Sequence, residues 1–160
     1  MVSACVEITT TRDIARQILR HRSFSFQEFS QRYADPTKDL KFVTREARLQ
    51  DPKNRQNSVE VEDQLLQNEW YRAQQRVIYA AQREYQWAIA NGIAKEQARA
   101  VLPEGLIESR LYMNGTLRSW IHFIELRSAN GTQKEHIDLS LEVAAAIAKI
   151  YPSINNFIGE

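Results

Sequence analysis

Residues 20–33, with the sequence RHRSFSFQEFSQRY, are the most informative stretch of this chain. The stretch holds three arginines, one histidine and three serines, interleaved with three phenylalanines. Guanidinium groups bind phosphate oxygens in a bidentate manner and hydroxyl groups can complete such a site, so a phosphate ligand is one interpretation. The other is a helix C-terminus, where the helix dipole favours cations. Taken alone, the cluster favours the helix terminus.

An amphipathic helix is predicted directly before this stretch. Thr10 offers an N-cap, with Asp13 three residues on, and the apolar stripe comprises Ile14, Ala15, Ile18 and Leu19. At ~100° per residue these positions span an arc of about 140°, and one further turn would bring Arg22 near its centre. An unpaired buried cation costs several kcal/mol. Therefore either the helix ends at Arg20–His21, or Arg22 points into a buried ligand site.

A second helix, predicted near residue 120, repeats this pattern. Its polar face carries Arg118, His122 and Glu125 at i, i+4 and i+7. The opposite, apolar face comprises Trp120, Phe123 and Ile124. Arg127 falls within the apolar arc. Two helices that each end with an arginine on the core face suggest a common anionic or polar ligand, whereas frayed helix ends would explain each arginine separately.

The remaining pattern predicts a helix-rich α+β single domain with a small sheet. Residues Val2–Thr9 alternate and predict a half-buried strand, which is either an edge strand or the partner of a segment outside this chain. A polar connection is predicted over 34–58, with a short strand near 40–43, and a helix over 59–90 that Asn91-Gly92 closes. A helix over 95–101, a strand over 106–113 and a helix over 116–126 follow. After a turn at Asn130-Gly131, the last helix begins with a Thr132–Glu135 capping box and ends at Pro152. The aromatic residues of the long helix are interpreted as core or subunit contacts: Trp70, Tyr71, Tyr79, Tyr85 and Trp87.

Composition excludes several functional classes. The chain has 160 residues, with Lys+Arg 21 against Asp+Glu 20 and a net charge of +1, a balance that argues against a general nucleic-acid binder. Cys5 is the single cysteine, so no internal disulfide can form, and we interpret it as a packing residue. No signal peptide and no apolar run of about 18 residues is visible. We therefore expect a reducing, cytoplasmic compartment and no membrane partner.

Motifs for metals and for glycine-rich phosphate loops do not occur in the sequence. His21, His122 and His136 have no metal-ligand spacing, so no metal is expected. The chain has 5 glycines and none in a dinucleotide-binding or P-loop pattern. A nucleophile elbow is also missing.

Several blocks, in order, resemble the flavin-dependent thymidylate synthases. Arg20–Arg22, seven residues and then a serine resemble the family's RHRx7S signature, with Ser25 matching a serine soon after it and Ser30–Tyr33 matching S-x-R-Y. Farther along, Arg99 and Val101–Pro103 match the family's R-x-V-L-P block. Thr116–Phe123, followed by Leu126-Arg127, matches N-x-R-S-x-x-H/N-F followed by L-R. Gln133–Glu135 matches Q-x-E. Several blocks in the right order make chance agreement improbable. The resemblance covers most of the chain from about residue 2 to 151, with residues 34–90 matched mainly in character.

The resemblance implies roles at matching positions. The residues expected to bind dUMP, in a site shared between subunits, are Gln17, Arg20, Glu28, Ser30, Gln31, Arg32, Arg99 and Arg127. The residues expected to bind FAD are His21, Arg22, Ser23, Arg118 and His122. Arg127 is also the implied catalytic residue, because it would lie near the uracil and polarise it. An arginine on an apolar face is thereby explained.

The resemblance also implies the reaction and the assembly. The reaction is the reductive methylation of dUMP to dTMP, with FAD as cofactor and with NADPH and methylenetetrahydrofolate as co-substrates. The cofactor would carry the difficult steps while protein groups bind and orient. The expected assembly is a homotetramer, in which arginines of different chains surround one nucleotide.

Two departures from the family pattern leave alternatives open. Family members usually carry a further segment before the strand at Val2, so residues 1–160 are expected to form an N-terminally short catalytic domain. Thr116 stands where the family has asparagine. One alternative is therefore a shortened homologue that binds nucleotide or flavin without turnover. The others are a small nucleic-acid-binding module that uses the arginines near residue 20, and a structural interaction domain.

Overall fold

The computed structural model describes residues 2–129 and 131–158. Its strands are β1 (Ser3–Thr11), β2 (Ser25–Glu28), β3 (Arg48–Gln50), β4 (Ser58–Glu60) and β5 (Glu108–Thr116). Its helices are α1 (Arg12–Ile18), α2 (Pro36–Asp39), α3 (Gln64–Ala90), α4 (Lys95–Ala98), α5 (Leu117–Ser128) and α6 (Lys134–Ala148), with short 3₁₀ segments at Arg99–Val101 and Pro152–Phe157. The predicted α+β class with a predominance of helix is confirmed. None of the helices in the described ranges is long and apolar enough to cross a bilayer.

The main sheet is antiparallel, with strand order β1-β5-β2. β1 pairs with β5 along its whole length, from Ser3 opposite Thr116 to Thr11 opposite Glu108. Within the described residues, β1 lies at the edge of the sheet with β5 as its neighbour. β2, which lies inside the arginine-rich stretch, and the hairpin of β3 and β4 were not predicted from the sequence.

The core lies between one face of this sheet and the helices α1, α5 and α6. Its fully or nearly fully buried members include Ile8, Ile14, Ile18, Leu111, Met113, Trp120, Phe123, Ile124, Val143 and Ile147. The indole Nε1 of Trp120 donates a hydrogen bond to the carbonyl oxygen of Ala4 at 3.1 Å, so its polar atom is satisfied. Cys5 lies on the opposite, exposed face of β1. The prediction that Cys5 is a packing residue is wrong, since the two-residue period of the strand turns it outward.

Helix α1 is shorter than predicted at both ends. Its N-cap is Thr11 rather than Thr10, without a side-chain capping bond, and the helix ends at Ile18. A turn follows, in which the amide of His21 donates to the carbonyl of Ile18 at 3.0 Å. Arg22 is consequently exposed. Of the two alternatives for this arginine, the early helix end is confirmed.

The long helix α3 begins later than predicted. Asp63 caps it, accepting hydrogen bonds from the amides of Leu65 (2.8 Å) and Leu66 (3.2 Å), and β4 occupies the residues before it. Its end at Ala90 is confirmed, with Gly92 at φ 76° after the cap. Among its aromatic residues only Tyr85 is in the core; the exposed ones are Trp70, Tyr71, Tyr79 and Trp87.

The C-terminal helix and two short elements also differ from the prediction or lie outside the described residues. α6 is capped by Gln133 without a side-chain capping bond, so the predicted Thr132–Glu135 capping box is wrong, and the helix ends at Ala148 rather than at Pro152. At the predicted strand near 40–43 there is a single bridge between Phe42 and Ile107. The predicted turn at Asn130-Gly131 rests on Asn130, which lies outside the described residues.

Candidate active site

The first group of candidate residues lies around the start of α1. A cavity of about 310 Å³ opens here, lined by Arg12, Arg16, Gln31, Arg99, Ala100, Leu102 and Glu104. Glu28, at the end of β2, accepts a hydrogen bond from Ser109 Oγ at 2.8 Å and lies 3.6 Å from Arg12 Nη1. Arg16 and Glu104 form an ion pair at 2.5 Å. The antiparallel pairing of β2 with β5 places Glu28 beside Ser109.

Two buried donors in this group have no hydrogen-bond partner within the described part of the chain. They are Nε2 of Gln31, whose residue is 3% exposed, and Nη1 of Arg12. A buried donor left without an acceptor costs roughly 1–3 kcal/mol, more when it is charged. Nε2 of Gln31 is therefore suited to a ligand with acceptor oxygens, such as a phosphate, whereas Nη1 of Arg12 already lies 3.6 Å from the carboxylate of Glu28.

The second group lies where α1 ends and α5 ends. Arg127 Nε donates a hydrogen bond to Nε2 of His21 at 3.0 Å, and the His21 ring packs edge-on against Phe123 with centroids 5.0 Å apart. Burial, and then the charge of Arg127, lower the pKa of His21 to about 4. His21 is accordingly a neutral acceptor near pH 7, and it holds the guanidinium without cancelling its charge.

Arg127 is the half-buried cation that its sequence position predicted. Burial, and then the neighbouring charge of Arg20, lower its pKa from the ordinary value. In the described segments it has no carboxylate partner. A partly desolvated charge of this kind interacts strongly with an anion or a polarised carbonyl oxygen. The geometry can therefore stabilise negative charge on a bound ligand.

A chain of side-chain hydrogen bonds adjoins this second group. Gln17 Nε2 donates to Gln133 Oε1 at 2.9 Å, and Gln17 Oε1 lies 3.3 Å from Nδ1 of His136. Gln133 Nε2 in turn donates to Glu135 at 2.9 Å, and Arg48 is hydrogen-bonded to the same carboxylate. His136 is fully buried. From the sequence, His136 was weighed only as a metal ligand. Its position three residues after Gln133, on the apolar face of α6, was the signal that could have indicated a buried contact.

The residues expected to bind FAD lie along one exposed surface. The carbonyl of Ser23 accepts a hydrogen bond from Ser119 Oγ at 3.3 Å, so the turn after α1 adjoins the start of α5. Arg22, Ser23, Arg118 and His122 are exposed, whereas His21 is half-buried. Within residues 2–129 and 131–158, neither Arg22 nor Arg118 pairs with a carboxylate. Two unpaired cations beside one turn are compatible with a diphosphate such as that of FAD.

The residues expected to bind dUMP fall into two groups. Those in the first group are Glu28, Ser30, Gln31, Arg32 and Arg99. Within this group, Arg32 forms an ion pair with the side chain of Glu96 at 3.3 Å, and Arg99 Nε donates a hydrogen bond to the backbone carbonyl of Glu96. Those in the second group are Gln17, Arg20 and Arg127. The two groups lie near opposite ends of α1, which is about 10 Å long.

Comparison with known proteins identifies the relatives of this fold. The family model described as "Thymidylate synthase complementing protein" (Thy1) matches residues 1–153. The "Flavin-dependent thymidylate synthase" of Synechocystis sp. is 47% identical over 154 residues, which is 96% of this chain and 70% of the relative. The "Probable flavin-dependent thymidylate synthase" of Paramecium bursaria Chlorella virus 1 is 49% identical over 150 residues, 93% of this chain and 68% of the relative.

A solved structure is also similar. The UMP/dUMP methylase PolB from Streptomyces cacaoi, crystallised with 5-Br UMP, aligns with a TM-score of 0.77 and 25% identity, over 99% of this chain and 77% of the other. The same protein with 5-Br dUMP gives a TM-score of 0.77 and 26% identity, over 97% of this chain and 70% of the other. Sequence and structure comparisons therefore agree.

Proposed function

Because this chain belongs to the Thy1 family of flavin-dependent thymidylate synthases, we propose that its two groups of polar residues are two halves of a dUMP site that neighbouring subunits complete. The enzyme converts dUMP to dTMP and depends on a flavin. The single observation that supports the proposal is that the candidate residues form two groups, one near each end of α1. A nucleotide needs both a phosphate site and a base site, and each end of α1 supplies one of them.

The first half is suited to the phosphate. Gln31 holds a buried donor that has no hydrogen-bond partner among the described residues. Arg12, which is ion-paired with Glu28, and Arg99 line the same cavity. Hydrogen bonds between charged groups and a phosphate contribute about 1.5–3 kcal/mol each. The carboxylate of Glu28 would lie beyond the phosphate, where it is already held by Ser109 and could accept a hydrogen bond from a sugar hydroxyl.

The second half is suited to the base. Arg127 lies beside neutral His21 and is partly desolvated. Placed against a carbonyl oxygen of the uracil, its guanidinium would draw electron density from the ring and stabilise negative charge that develops there. Gln17 would contact the base from the same side, and Arg20, exposed beside Arg127, would reach the nucleotide of the shared site.

The surface formed by His21, Arg22, Ser23, Arg118 and His122 would bind the flavin. Bound there, FAD reduced by NADPH supplies the hydride, and methylenetetrahydrofolate supplies the one-carbon unit. The task of the protein chain is to bind, orient and polarise. Arg22 and Arg118 would neutralise the diphosphate, and the hydrogen bond between Ser119 and the carbonyl of Ser23 fixes the turn that presents them.

A test of the shared site uses two variants that each damage one half. Arg99→Ala removes a cation from the first half, and Arg127→Ala removes the one in the second. Each variant alone should be inactive in a tritium-release assay with labelled dUMP, FAD, NADPH and methylenetetrahydrofolate. Mixed after mild dissociation, the two should recover activity at up to about a quarter of the sites, because random pairing restores one intact site in four. Mixtures as inactive as their parents would refute the shared site.

A homotetramer is the assembly that we propose, and sedimentation in the presence of dUMP and FAD tests it. A predominantly monomeric protein under those conditions would contradict it. The alternative of a homologue that binds ligand without turnover predicts flavin binding but no tritium release. The cytoplasmic compartment expected from the sequence also remains a prediction, for which fractionation of the producing cell is the measurement.

A further inference from the structure

The hydrogen bonds that link His136, Gln17, Gln133 and Glu135 can be donated in only one direction, from His136 towards Glu135. Burial alone would raise the pKa of Glu135, but hydrogen bonds, chiefly from Arg48, hold it below its ordinary value. Glu135 is therefore an ionised carboxylate, which can only accept hydrogen bonds. Gln133 must turn its NH₂ group towards Glu135, and this leaves Oε1 of Gln133 to face Gln17.

The orientation of Gln133 fixes the orientation of Gln17, which in turn fixes the tautomer of His136. An amide oxygen of Gln133 accepts only from the NH₂ group of Gln17, so Oε1 of Gln17 faces Nδ1 of His136. Nδ1 must then carry the proton of the imidazole. Nε2 of His136 keeps its lone pair and lies buried, without a hydrogen-bond partner in the described ranges.

Rotation of the Gln17 amide by half a turn is disfavoured at both ends. It would place oxygen against the oxygen of Gln133, and it would force the imidazole proton of His136 onto Nε2, which is buried without a hydrogen-bond partner in the described ranges. His136 and Gln133 together therefore hold one orientation of this amide. Gln17 retains one free N–H and one free lone pair for a ligand.

A fixed amide distinguishes two pyrimidine bases. Uracil presents N3–H as a donor beside the C4 carbonyl as an acceptor, whereas cytosine presents an N3 lone pair beside a C4 amino group. An amide that pairs with one edge must turn over to pair with the other. We propose that His136, with Gln133 and Glu135, is a positioning residue that fixes the amide of Gln17 so that the site selects a uracil nucleotide over a cytosine nucleotide.

This inference rests on the proposed function, since it requires that Gln17 meet the base. Two measurements separate the two claims. The first uses ¹⁵N NMR of the ligand-free protein to locate the imidazole proton of His136. A proton on Nδ1 supports the direction of the chain; a proton on Nε2 overturns it, whatever the protein binds.

The second measurement compares dUMP with dCMP by calorimetry. The wild-type protein should prefer dUMP, and His136→Leu and Glu135→Gln should each lower that preference by about 3- to 10-fold, as expected for one lost hydrogen bond. His136→Asn should restore the preference, because the NH₂ group of asparagine can occupy the position of the Nδ1 donor. Glu84→Gln is the matched control: Glu84 also pairs with an arginine but lies on α3, in a pair that is exposed.

The outcomes are distinguishable once circular dichroism shows that each variant is folded. Wild-type protein that binds no dUMP would overturn the proposed function and the selectivity together. Wild-type protein that binds dUMP while His136→Leu keeps the same ratio of dUMP to dCMP affinity would overturn only the role of His136. A lowered ratio in His136→Leu that His136→Asn does not restore would also contradict donation from Nδ1.

Discussion

Acidification should destabilise this protein well above the pH at which its carboxylates titrate, and His136 is the main reason. Burial, followed by the charges of Arg127 and His21, lowers the pKa of His136 from 6.5 to about 4 in the folded chain. The unfolded chain therefore binds more protons than the folded chain between these values. The free energy of unfolding must fall as the pH falls through this range.

The size of this effect follows from the two pKa values. Between about pH 7.5 and about pH 5, a fully buried histidine with this shift loses about 2 kcal/mol of stability. His21 has a similar shift but is half-buried, and solvent screening makes its contribution smaller. Asp13 and Glu135 also have lowered pKa values, but their stabilising effect is lost below about pH 4.5, outside this window.

Urea unfolding at fixed protein concentration, at both pH values, measures the effect. His136→Asn cannot titrate, so the stability difference between the two pH values should shrink by about 2 kcal/mol relative to the wild type. His122→Asn is the matched control because His122 is exposed on α5. If the wild type and His136→Asn lose equal stability on acidification, the assignment of a buried neutral imidazole to His136 is refuted.

Three further predictions concern the site and the elements that hold it. Arg127→Ala should abolish tritium release from labelled dUMP while sedimentation still shows the wild-type assembly; turnover at the wild-type rate would remove Arg127 from catalysis. Gly115→Ala should lower the free energy of unfolding by about 1–3 kcal/mol, because the added Cβ would overlap the ring of Phe24 in the turn after α1, and an unchanged urea midpoint would contradict this packing. Thr116→Ala should cost about 1 kcal/mol by removing the acceptor for the amide of Ser119, and Thr116→Asn, which keeps a capping oxygen, should retain most of that stability in the same titration.

The sequence was most informative where one residue had to satisfy two patterns at once. The rotated position of Arg127 predicted a half-buried cation in need of a partner, and the structure supplies His21 as an acceptor. The alternation of β1 and the end of α3 at Ala90 were likewise readable, because period and capping chemistry agree there. The family resemblance, which rests on short blocks in order, was confirmed by the match over residues 1–153.

Other features depended on contacts that local sequence does not encode. β2 was missed because its four residues follow an arginine-rich turn, and only pairing with β5 makes them a strand. His136 was overlooked because its role depends on Gln17, 119 positions away. Arg22, weighed as a buried ligand-binding residue, is exposed because α1 stops at Ile18, where the chain must turn back to reach β2.

Both strands of the central pair pass into helices without an intervening loop: Thr11 precedes Arg12 at the start of α1, and Thr116 ends β5 while capping α5. No loop residue at these junctions can therefore absorb a change in chain length. One residue inserted at either of them would swing the following helix by ~100° and carry His21 or Arg127 away from its partner. Surface loops elsewhere can lengthen over evolutionary time, but these two strand–helix junctions should tolerate neither insertion nor deletion.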